Sequence, residues 1–501
     1  MLGLALLAAF PVVFQDAEDH RKLLERATNG YEVTDTSKAF AEVAGVNAME
    51  ARVEIFDAKL TIRGCTQLRD WLVSGMNQAR TLEETDVLAL AANNKKRSEL
   101  LRLVCLRALQ ITKAPVSAKH LLQKKFLKDP QDIQREWQRT VGMVHAQGRL
   151  DAGNIKDLNK EVRALLSKAG TPWSILCSKV FLSQEDASRV AEAMTKSKLP
   201  GDQAEATRNL APFTDHHPLW ISAAKKLLLN AACGPRVAVL EMAKTHSIHR
   251  LAPHLIHALE QEVQRGGRFV NDFAATLRAI TGRQFGTNPE SWSRWWQREG
   301  DQFLKNPAPQ VKQVDATEKE ERTVASLFGI PVDSLRVAIV VDGSGSMNDL
   351  LDDRPCSQAA AEEMESFLER LSEKAYFQVV VIARDQRACF KKSVLNSAKN
   401  QKAAVKYIRD FDYSTASAMH DVLVEAQRND MVDTMLFISD GGGSWGSYAF
   451  AGHMEPVLKQ EYERTGVRIH SVFVGSSNTK RRFMQNLADL TSGILVAPSD
   501  S

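Results

Sequence analysis

Residues 336–347 read RVAIVVDGSGSM, and this stretch decides the fold of the C-terminal third of the chain. Its apolar run is typical of a strand buried on both faces. The strand delivers Asp342, Ser344 and Ser346 into a loop that Gly343 and Gly345 keep open. Two hydroxyls and a carboxylate are oxygen ligands of the kind that a hard cation such as Mg²⁺ prefers, but they form an incomplete set. Other loops are therefore expected to complete a metal site.

Strands and helices alternate along the rest of this region. Further β-rich runs lie at 376–383, 434–439, 467–474 and 494–497, with helical stretches between them. This alternation predicts an α/β doubly wound domain, whose mostly parallel sheet binds ligands at the carboxyl ends of its strands. Residues 434–444, TMLFISDGGGS, end a second apolar strand in Asp440. Between the two motifs, residues 411–426, FDYSTASAMHDVLVEA, place a hydroxyl-rich loop before a helix.

Together these three motifs resemble the metal-ion-dependent adhesion site (MIDAS) of von Willebrand factor A (vWA) domains, and the resemblance covers residues 328–498. It implies that Ser344 and Ser346 bind the metal directly, while Asp342 and Asp440 accept hydrogen bonds from metal-bound waters. It also implies a hydroxyl ligand from the middle loop. Aligning Asp421, Val422 and Leu423 with the family's D-A-L run places Ser417 at the ligand position. Thr415 offers the family's usual threonine two positions earlier, and the choice between the two stays open. The implied metal is Mg²⁺, with Mn²⁺ or Ca²⁺ as alternatives.

The resemblance implies a non-enzymatic protein-binding or adhesion module. A cation held by neutral hydroxyls keeps a strong positive charge, so the expected partner is a protein that offers an acidic side chain, or a segment of the helical region itself. One alternative is a structural A-type domain with a degenerate metal site. Another is a serine hydrolase, because residues 442–446, GGSWG, match G-x-S-x-G around Ser444. The hydrolase is disfavoured, since the strand ends before the motif begins and His470 lies inside a predicted strand.

Residues 18–300 carry apolar residues at helical spacing, broken by short polar or Gly/Pro segments. The segment 251–263 resembles a helix of a HEAT-like repeat, as in helical-repeat modules of some bacterial secreted proteins. No strict period is present, so we predict an α-solenoid with an irregular helical bundle as its competitor. Asn288 is expected to cap a last helix, whose tryptophans pack against the preceding helix. Residues 301–327 are predicted to be a linker.

Composition limits the class of protein. The 501 residues are 44% hydrophobic and 25% charged, which indicates a soluble globular chain of two or three domains. The net charge of +4 gives no reason to expect a nucleic-acid partner. Residues 1–15 are apolar but too short to span a bilayer, and no other segment predicts a membrane span. We therefore predict a signal peptide and a secreted or periplasmic bacterial protein, or a cytoplasmic one if the N-terminus is retained.

Overall fold

The structure of the chain is a computed structural model. It describes residues 17–27, 33–60, 65–168, 184–229, 232–307, 325–351 and 353–498. The chain divides into two compact units, Met1–Val162 and Arg163–Ser501. The predicted signal peptide, and residues 308–324 of the predicted linker, lie outside the described residues.

The described part of the first unit is almost entirely helical. Its helices are α1 (Ala17–Arg26), α2 (Thr34–Ala41), α3 (Val46–Ala58), α4 (Thr66–Met76), α5 (Leu82–Asn93), α6 (Glu99–Ile111), α7 (Ala118–Leu121), α8 (Gln131–Ala146) and the start of α9 (Leu158–Lys168). Two short parallel strands, β1 (Val116–Ser117) and β2 (Leu150–Asp151), join its loops. Thr81 and Glu84 form a capping box at α5, which satisfies backbone N–H groups at the start of that helix. The prediction of a helical N-terminal region is confirmed, and the HEAT-like repeat stays a prediction.

The second unit begins with further helices. They are α10 (Gln184–Lys196), α11 (Pro200–Leu210), α12 (His217–Leu227), α13 (Cys233–Thr245), α14 (Ala252–Arg265), α15 (Phe269–Thr281) and α16 (Pro289–Lys305). The Asn288 side chain caps α16 by accepting a hydrogen bond from the Ser291 backbone N–H at 3.0 Å. Trp292 and Trp295 are buried in the core of these helices, with Phe285 against them. The predicted cap and the packing role of these two tryptophans are confirmed.

A seven-stranded sheet forms the centre of the C-terminal region. Two short hairpin pairs come with it, β3 (Ser326–Leu327) with β4 (Ile330–Pro331) and β6 (Leu350–Leu351) with β7 (Arg354–Pro355). The sheet consists of β5 (Arg336–Asp342), β8 (Tyr376–Ile382), β9 (Gln386–Ala388), β10 (Val394–Leu395), β11 (Thr434–Ser439), β12 (Arg468–Phe473) and β13 (Leu495–Val496). Its order is β10-β8-β5-β11-β12-β13, with β9 beside β8, and only β9 and β10 run antiparallel to their neighbour. The predicted α/β fold and its five predicted strands are confirmed.

Helices cover both faces of this sheet, as its apolar strands require. They are α17 (Cys356–Arg370), α18 (Ala398–Arg409), α19 (Met419–Gln427), α20 (Ala451–Thr465) and α21 (Asn478–Leu490). In β5, Val337, Ile339 and Val341 share a core cluster with residues of α17 and α18. Successive side chains of a strand point to opposite faces, and Ala338 and Val340 are buried as well. Because β5 and β11 pair in parallel, their carboxyl ends lie at one edge of the sheet, where Asp342 and Asp440 lie.

The helices α10–α16, at residues 184–305, precede the sheet, and we call them the helical segment. This segment contacts the opposite edge of the sheet, at the start of β11 and β12. We call this the docking edge, formed by Asp433, Gly466 and Arg468. Arg268 of the helical segment donates to the backbone oxygens of Asp433 and Gly466, and Arg468 pairs with Asp272 at 2.6 Å. Further contacts are the hydrogen bond from Tyr462 to Glu241 at 2.5 Å and the close approach of Gly234, where a Cβ atom would lie 2.0 Å from the Arg464 carbonyl oxygen. The helical segment and the sheet thus form one packed unit.

Within the described residues, no helix has the length and apolar character needed to cross a membrane. Five cysteines are free thiols, namely Cys65, Cys105, Cys233, Cys356 and Cys389, and the sixth, Cys177, lies outside the described residues.

Candidate metal centre

Asp342 is the last residue of β5 and is fully buried, with 0% of its surface exposed. Its Oδ2 accepts a hydrogen bond from Ser439 Oγ at 2.6 Å, and its Oδ1 accepts one from the Ser344 backbone N–H at 3.0 Å. Burial raises the pKa of this carboxyl group, and the bonds from Ser439 and Ser344 partly oppose the rise. The carboxylate is therefore held in one orientation beneath the loop that follows β5.

The two serines of that loop present their hydroxyl groups together. Ser344 Oγ and Ser346 Oγ are 2.8 Å apart, on a short 3₁₀ turn at Gly345–Asn348. Gly343 makes the turn possible, because a Cβ atom there would lie 2.6 Å from the Ile382 carbonyl oxygen of the neighbouring strand. The structure thus brings Asp342, Ser344 and Ser346 into one cluster, as the spacing of the motif predicts.

The two candidate ligands of the middle loop, the hydroxyl groups of Thr415 and Ser417, have different surroundings. Thr415 Oγ1 donates to the Gly343 carbonyl oxygen at 3.0 Å, and Thr415 also pairs with Ser344 through a single β-bridge. Ser417 is fully buried, and its Oγ has no hydrogen-bond partner among the described residues. A buried hydroxyl without a partner costs about 1–3 kcal/mol, which a bound cation at this position would offset. Of these two hydroxyl groups, the one without a partner is that of Ser417.

Asp440, directly after β11, has both carboxylate oxygens occupied. Oδ1 accepts a hydrogen bond from the Gly442 backbone N–H at 3.0 Å, and Oδ2 forms an ion pair with Lys480 Nζ at 2.7 Å. Sequence reasoning did not identify Lys480. The available signal was its position in the first turn of α21, where the helix dipole disfavours a cation unless an anion lies nearby.

The loop 440–450 braces the middle loop. Ser444 Oγ accepts from the Ser417 backbone N–H at 3.1 Å, and the Ser444 N–H donates back to the Ser417 carbonyl oxygen at 3.0 Å. Asp421, at the start of α19, accepts from the Ser447 N–H at 2.9 Å and contacts His420 Nδ1 at 2.8 Å. Burial opposes ionisation of Asp421, but these hydrogen bonds outweigh it and lower its pKa. The middle loop and the start of α19 are therefore held in place by hydrogen bonds to Ser444 and Ser447.

The rim of the site carries a positive charge. The Arg384 guanidinium, which follows β8, lies 5.5 Å from the centre of the Trp445 ring. This arrangement is a cation–π contact that holds an exposed cation beside the loop after β11. This charge would attract an acidic ligand toward this edge of the sheet.

The donor set suits a hard cation. Ser344, Ser346 and Ser417 supply three hydroxyl groups in the loops at the edge where Asp342 and Asp440 lie, and the Ala418 N–H next to Ser417 donates to the Ala383 carbonyl oxygen at the end of β8. Within the described part of the chain, no group of three or more His, Cys, Asp or Glu side chains could hold a metal ion. A metal at this edge would therefore depend on serine oxygens, and the unpaired oxygen of Ser417 fits such a ligand.

The geometry does not favour the hydrolase reading of Ser444. This residue lies between the end of β11 at Ser439 and the start of α20 at Ala451, not on a tight strand-to-helix turn. His470 is paired in register with Leu436, inside the sheet, and its Nδ1 accepts the Ile494 backbone N–H at 3.2 Å. Burial lowers the pKa of His470 to about 4, so it would be a poor general base.

Comparison with known proteins defines the class of the C-terminal region. A family model described as von Willebrand factor type A domain matches residues 335–497, so this region is a vWA domain built on a central sheet. Among solved structures, the chain is similar to a von Willebrand factor type A protein from Catenulispora acidiphila. The two are 17% identical, with a TM-score of 0.28, over 34% of this chain and 42% of that chain. The chain thus spans less than half the length of that protein. A search of curated proteins found no match.

Proposed function

We propose that the vWA domain binds a divalent cation, Mg²⁺ in the first instance, and uses it to capture an acidic side chain of a partner protein. A vWA domain indicates a protein-interaction role, and domains of this family often bind a divalent metal. The observation that carries the proposal is the buried, unpaired Ser417 Oγ, two residues after Thr415, which pairs with Ser344 through a β-bridge.

In the proposed site, Ser344, Ser346 and Ser417 would hold the cation directly. Asp342 and Asp440 would accept hydrogen bonds from its water ligands and orient the loops. A cation bound through neutral hydroxyls would supply positive charge for a carboxylate. Arg384 adds a second positive charge at the rim, which favours the same kind of ligand.

The position of the helical segment favours a separate protein as the partner. Cys233 of α13 and Asp272 of α15 contact the docking edge, as Arg268 does, whereas Asp342 and Asp440 lie at the opposite ends of the same parallel strands. Helices that dock there do not cover the metal centre. We therefore propose that this segment serves as a scaffold that presents the vWA domain to its partner.

A structural vWA domain with a degenerate metal site is the second candidate. The ion pair between Lys480 and Asp440 favours it, because an ammonium group already neutralises one of the two carboxylates. Both candidates are non-enzymatic, and they differ in whether a cation binds at all.

Calorimetric titration of Mg²⁺, Mn²⁺ and Ca²⁺ into the full-length chain distinguishes them. We expect saturable binding by the wild type and its loss in the double variant Ser344→Ala, Ser346→Ala. Ser366→Ala removes an exposed hydroxyl from α17 and should bind like the wild type. Absence of binding in the wild type, in a folded protein, would leave only the structural domain.

A further inference from the structure

We propose that Lys480 is an internal counter-cation of the metal centre, which a divalent cation must displace from Asp440. Lys480 would then set the cation concentration at which the site fills. This inference rests on the proposed function of the same site and adds a mechanism of regulation to it.

The first support is the contact itself. Lys480 Nζ lies 2.7 Å from Asp440 Oδ2, and the Asp440 side chain is only 13% exposed. The other oxygen of Asp440 is held by the Gly442 N–H, so the carboxylate has a fixed orientation toward the ammonium group. Lys480 is 42% exposed and has a flexible stem, so water is available to solvate its charge when it leaves.

The second support is the position of Lys480 in its helix. It lies in the first turn of α21, where unpaired N–H groups give the helix a partial positive charge. A cation at this position is unfavourable by itself, and the carboxylate of Asp440 offsets the cost. The lysine is thus stabilised by the same residue that would support a bound metal.

The third support is the shape of the loop after β11. Gly441 has a φ of +78°, and a Cβ atom there would lie 2.8 Å from the Lys480 carbonyl oxygen. A Cβ atom at Gly442 would lie 2.7 Å from Lys480 Nζ. The two glycines therefore make room for the backbone and for the ammonium group of Lys480.

Competition follows from these contacts. A carboxylate that neutralises an ammonium group offsets less of the charge of a divalent cation, and the two cations repel each other at this range. Anything that weakens the Lys480–Asp440 pair should therefore strengthen cation binding. By linkage, cation binding should weaken the pair to the same degree.

The test compares charge-altering variants of the full-length chain by calorimetric titration with Mg²⁺ and Mn²⁺. Lys480→Met keeps the aliphatic stem and removes the charge, and we expect its dissociation constant to be about tenfold lower than that of the wild type. Lys480→Arg keeps the charge and should bind within about twofold of the wild type. Lys459→Met removes the same charge from an exposed position on α20 and should also leave affinity unchanged.

A second measurement follows the amine directly. Acylation of lysine side chains, read by mass spectrometry, should show greater reactivity of Lys480 at saturating Mg²⁺ than without metal, with Lys459 constant. Equal affinities of wild type and Lys480→Met, with unchanged Lys480 reactivity, would overturn this inference and leave the metal site standing. Absence of binding in wild type and Lys480→Met alike, with both folded, would instead overturn the proposed function and this inference with it.

Discussion

The two edges of the vWA sheet use ion pairs in different ways. At the docking edge, Arg268 is 2% exposed and bonds two backbone oxygens and Asp272, so its charge is compensated within the fold. At the opposite edge, which carries Asp342 and Asp440 and which we call the metal edge, Asp440 pairs with Lys480, whose side chain is 42% exposed. Breaking a buried pair leaves an uncompensated charge, whereas water can solvate the partly exposed ammonium group of Lys480 when a cation takes its place. The first arrangement holds two parts of the chain together, and the second permits a ligand to compete.

The hydroxyl groups show the same difference. At the docking edge, Ser334 Oγ donates to Asp433 Oδ1 at 2.5 Å, and the Asp433 carboxylate also accepts from Thr434 Oγ1 at 2.9 Å. At the metal edge, Ser417 Oγ has no such partner within the described residues. The hydroxyl groups of Ser334 and Thr434 are thus used within the fold, whereas the hydroxyl group of Ser417 is left for a ligand. Variants of each edge should therefore change different properties.

The largest effect is expected at the docking edge. Arg268→Met should lower the free energy of unfolding of the full-length chain by about 3–5 kcal/mol, because two buried carbonyl groups lose a donor and Asp272 keeps only Arg468 of its two cationic partners. Urea denaturation followed by circular dichroism measures this. Arg265→Met is the control, since Arg265 is 56% exposed and 3.9 Å from Glu262, and its effect should stay below about 1 kcal/mol. Equal effects of the two variants would contradict a stabilising role for this edge.

A pH-dependent effect is expected inside the sheet, close to the docking edge. Burial, with the charges of Arg468 and Arg268, lowers the pKa of His470 from 6.5 to about 4. The unfolded chain therefore binds a proton at higher pH than the folded one, and stability should fall as pH decreases from 6.5 to 4. The full shift corresponds to about 3 kcal/mol. Denaturation curves at pH 7 and pH 4 measure the loss.

His470→Asn should reduce that loss, because an amide oxygen can accept the Ile494 N–H without titrating. His257→Asn, on the exposed face of α14, is the matched control and should keep the wild-type pH dependence. If His470→Asn loses as much stability as the wild type between pH 7 and pH 4, then another group causes the loss. Metal affinity at pH 7 should be unchanged in His470→Asn, which separates this effect from the metal edge.

The metal edge could be predicted in large part from the sequence, whereas the docking edge could not. Apolar strands that end in Asp342 and Asp440 must bring these residues to one edge, because neighbouring parallel strands end on the same side. Arg268 lies between Gly267 and a helix in an ordinary polar stretch, and nothing local indicates that it will be buried. Its role depends on how α15 meets the start of β11, which is a tertiary contact across 165 positions.

Two features of the metal edge were also beyond sequence reasoning. Lys480 is 40 positions from Asp440, and their contact depends on the close approach of a glycine loop to the start of α21. The choice between Thr415 and Ser417 depends on which hydroxyl group the backbone already uses. The structure shows Thr415 bonded to the Gly343 carbonyl oxygen, and a spacing argument has no means of predicting that bond.

The smallest expected changes in stability are at the serines, and they give the sharpest comparison. Ser417→Ala removes a buried, unpaired hydroxyl, so the free energy of unfolding without metal should stay constant or rise by about 1 kcal/mol. Because Ser417 is the proposed ligand, the affinity of the Ser417→Ala variant for a divalent cation should be about tenfold lower than that of the wild type, or lower still. Ser471→Ala is a matched control, because Ser471 Oγ in β12 is also buried without a partner in the described chain. It should match the stability change of Ser417→Ala and bind cations like the wild type.

Thr415→Val completes this comparison at the middle loop. It removes the hydrogen bond to the Gly343 carbonyl oxygen, which should lower the free energy of unfolding by about 1 kcal/mol, while Ser417 remains available. We expect calorimetry to show a smaller loss of cation affinity in Thr415→Val than in Ser417→Ala. The reverse order would mean that Thr415 exchanges its backbone bond for the metal and that Ser417 is only a buried serine. In that case the unpaired hydroxyl group of Ser417 would not be a metal ligand. The difference between the docking edge and the metal edge would then depend only on the Lys480–Asp440 ion pair.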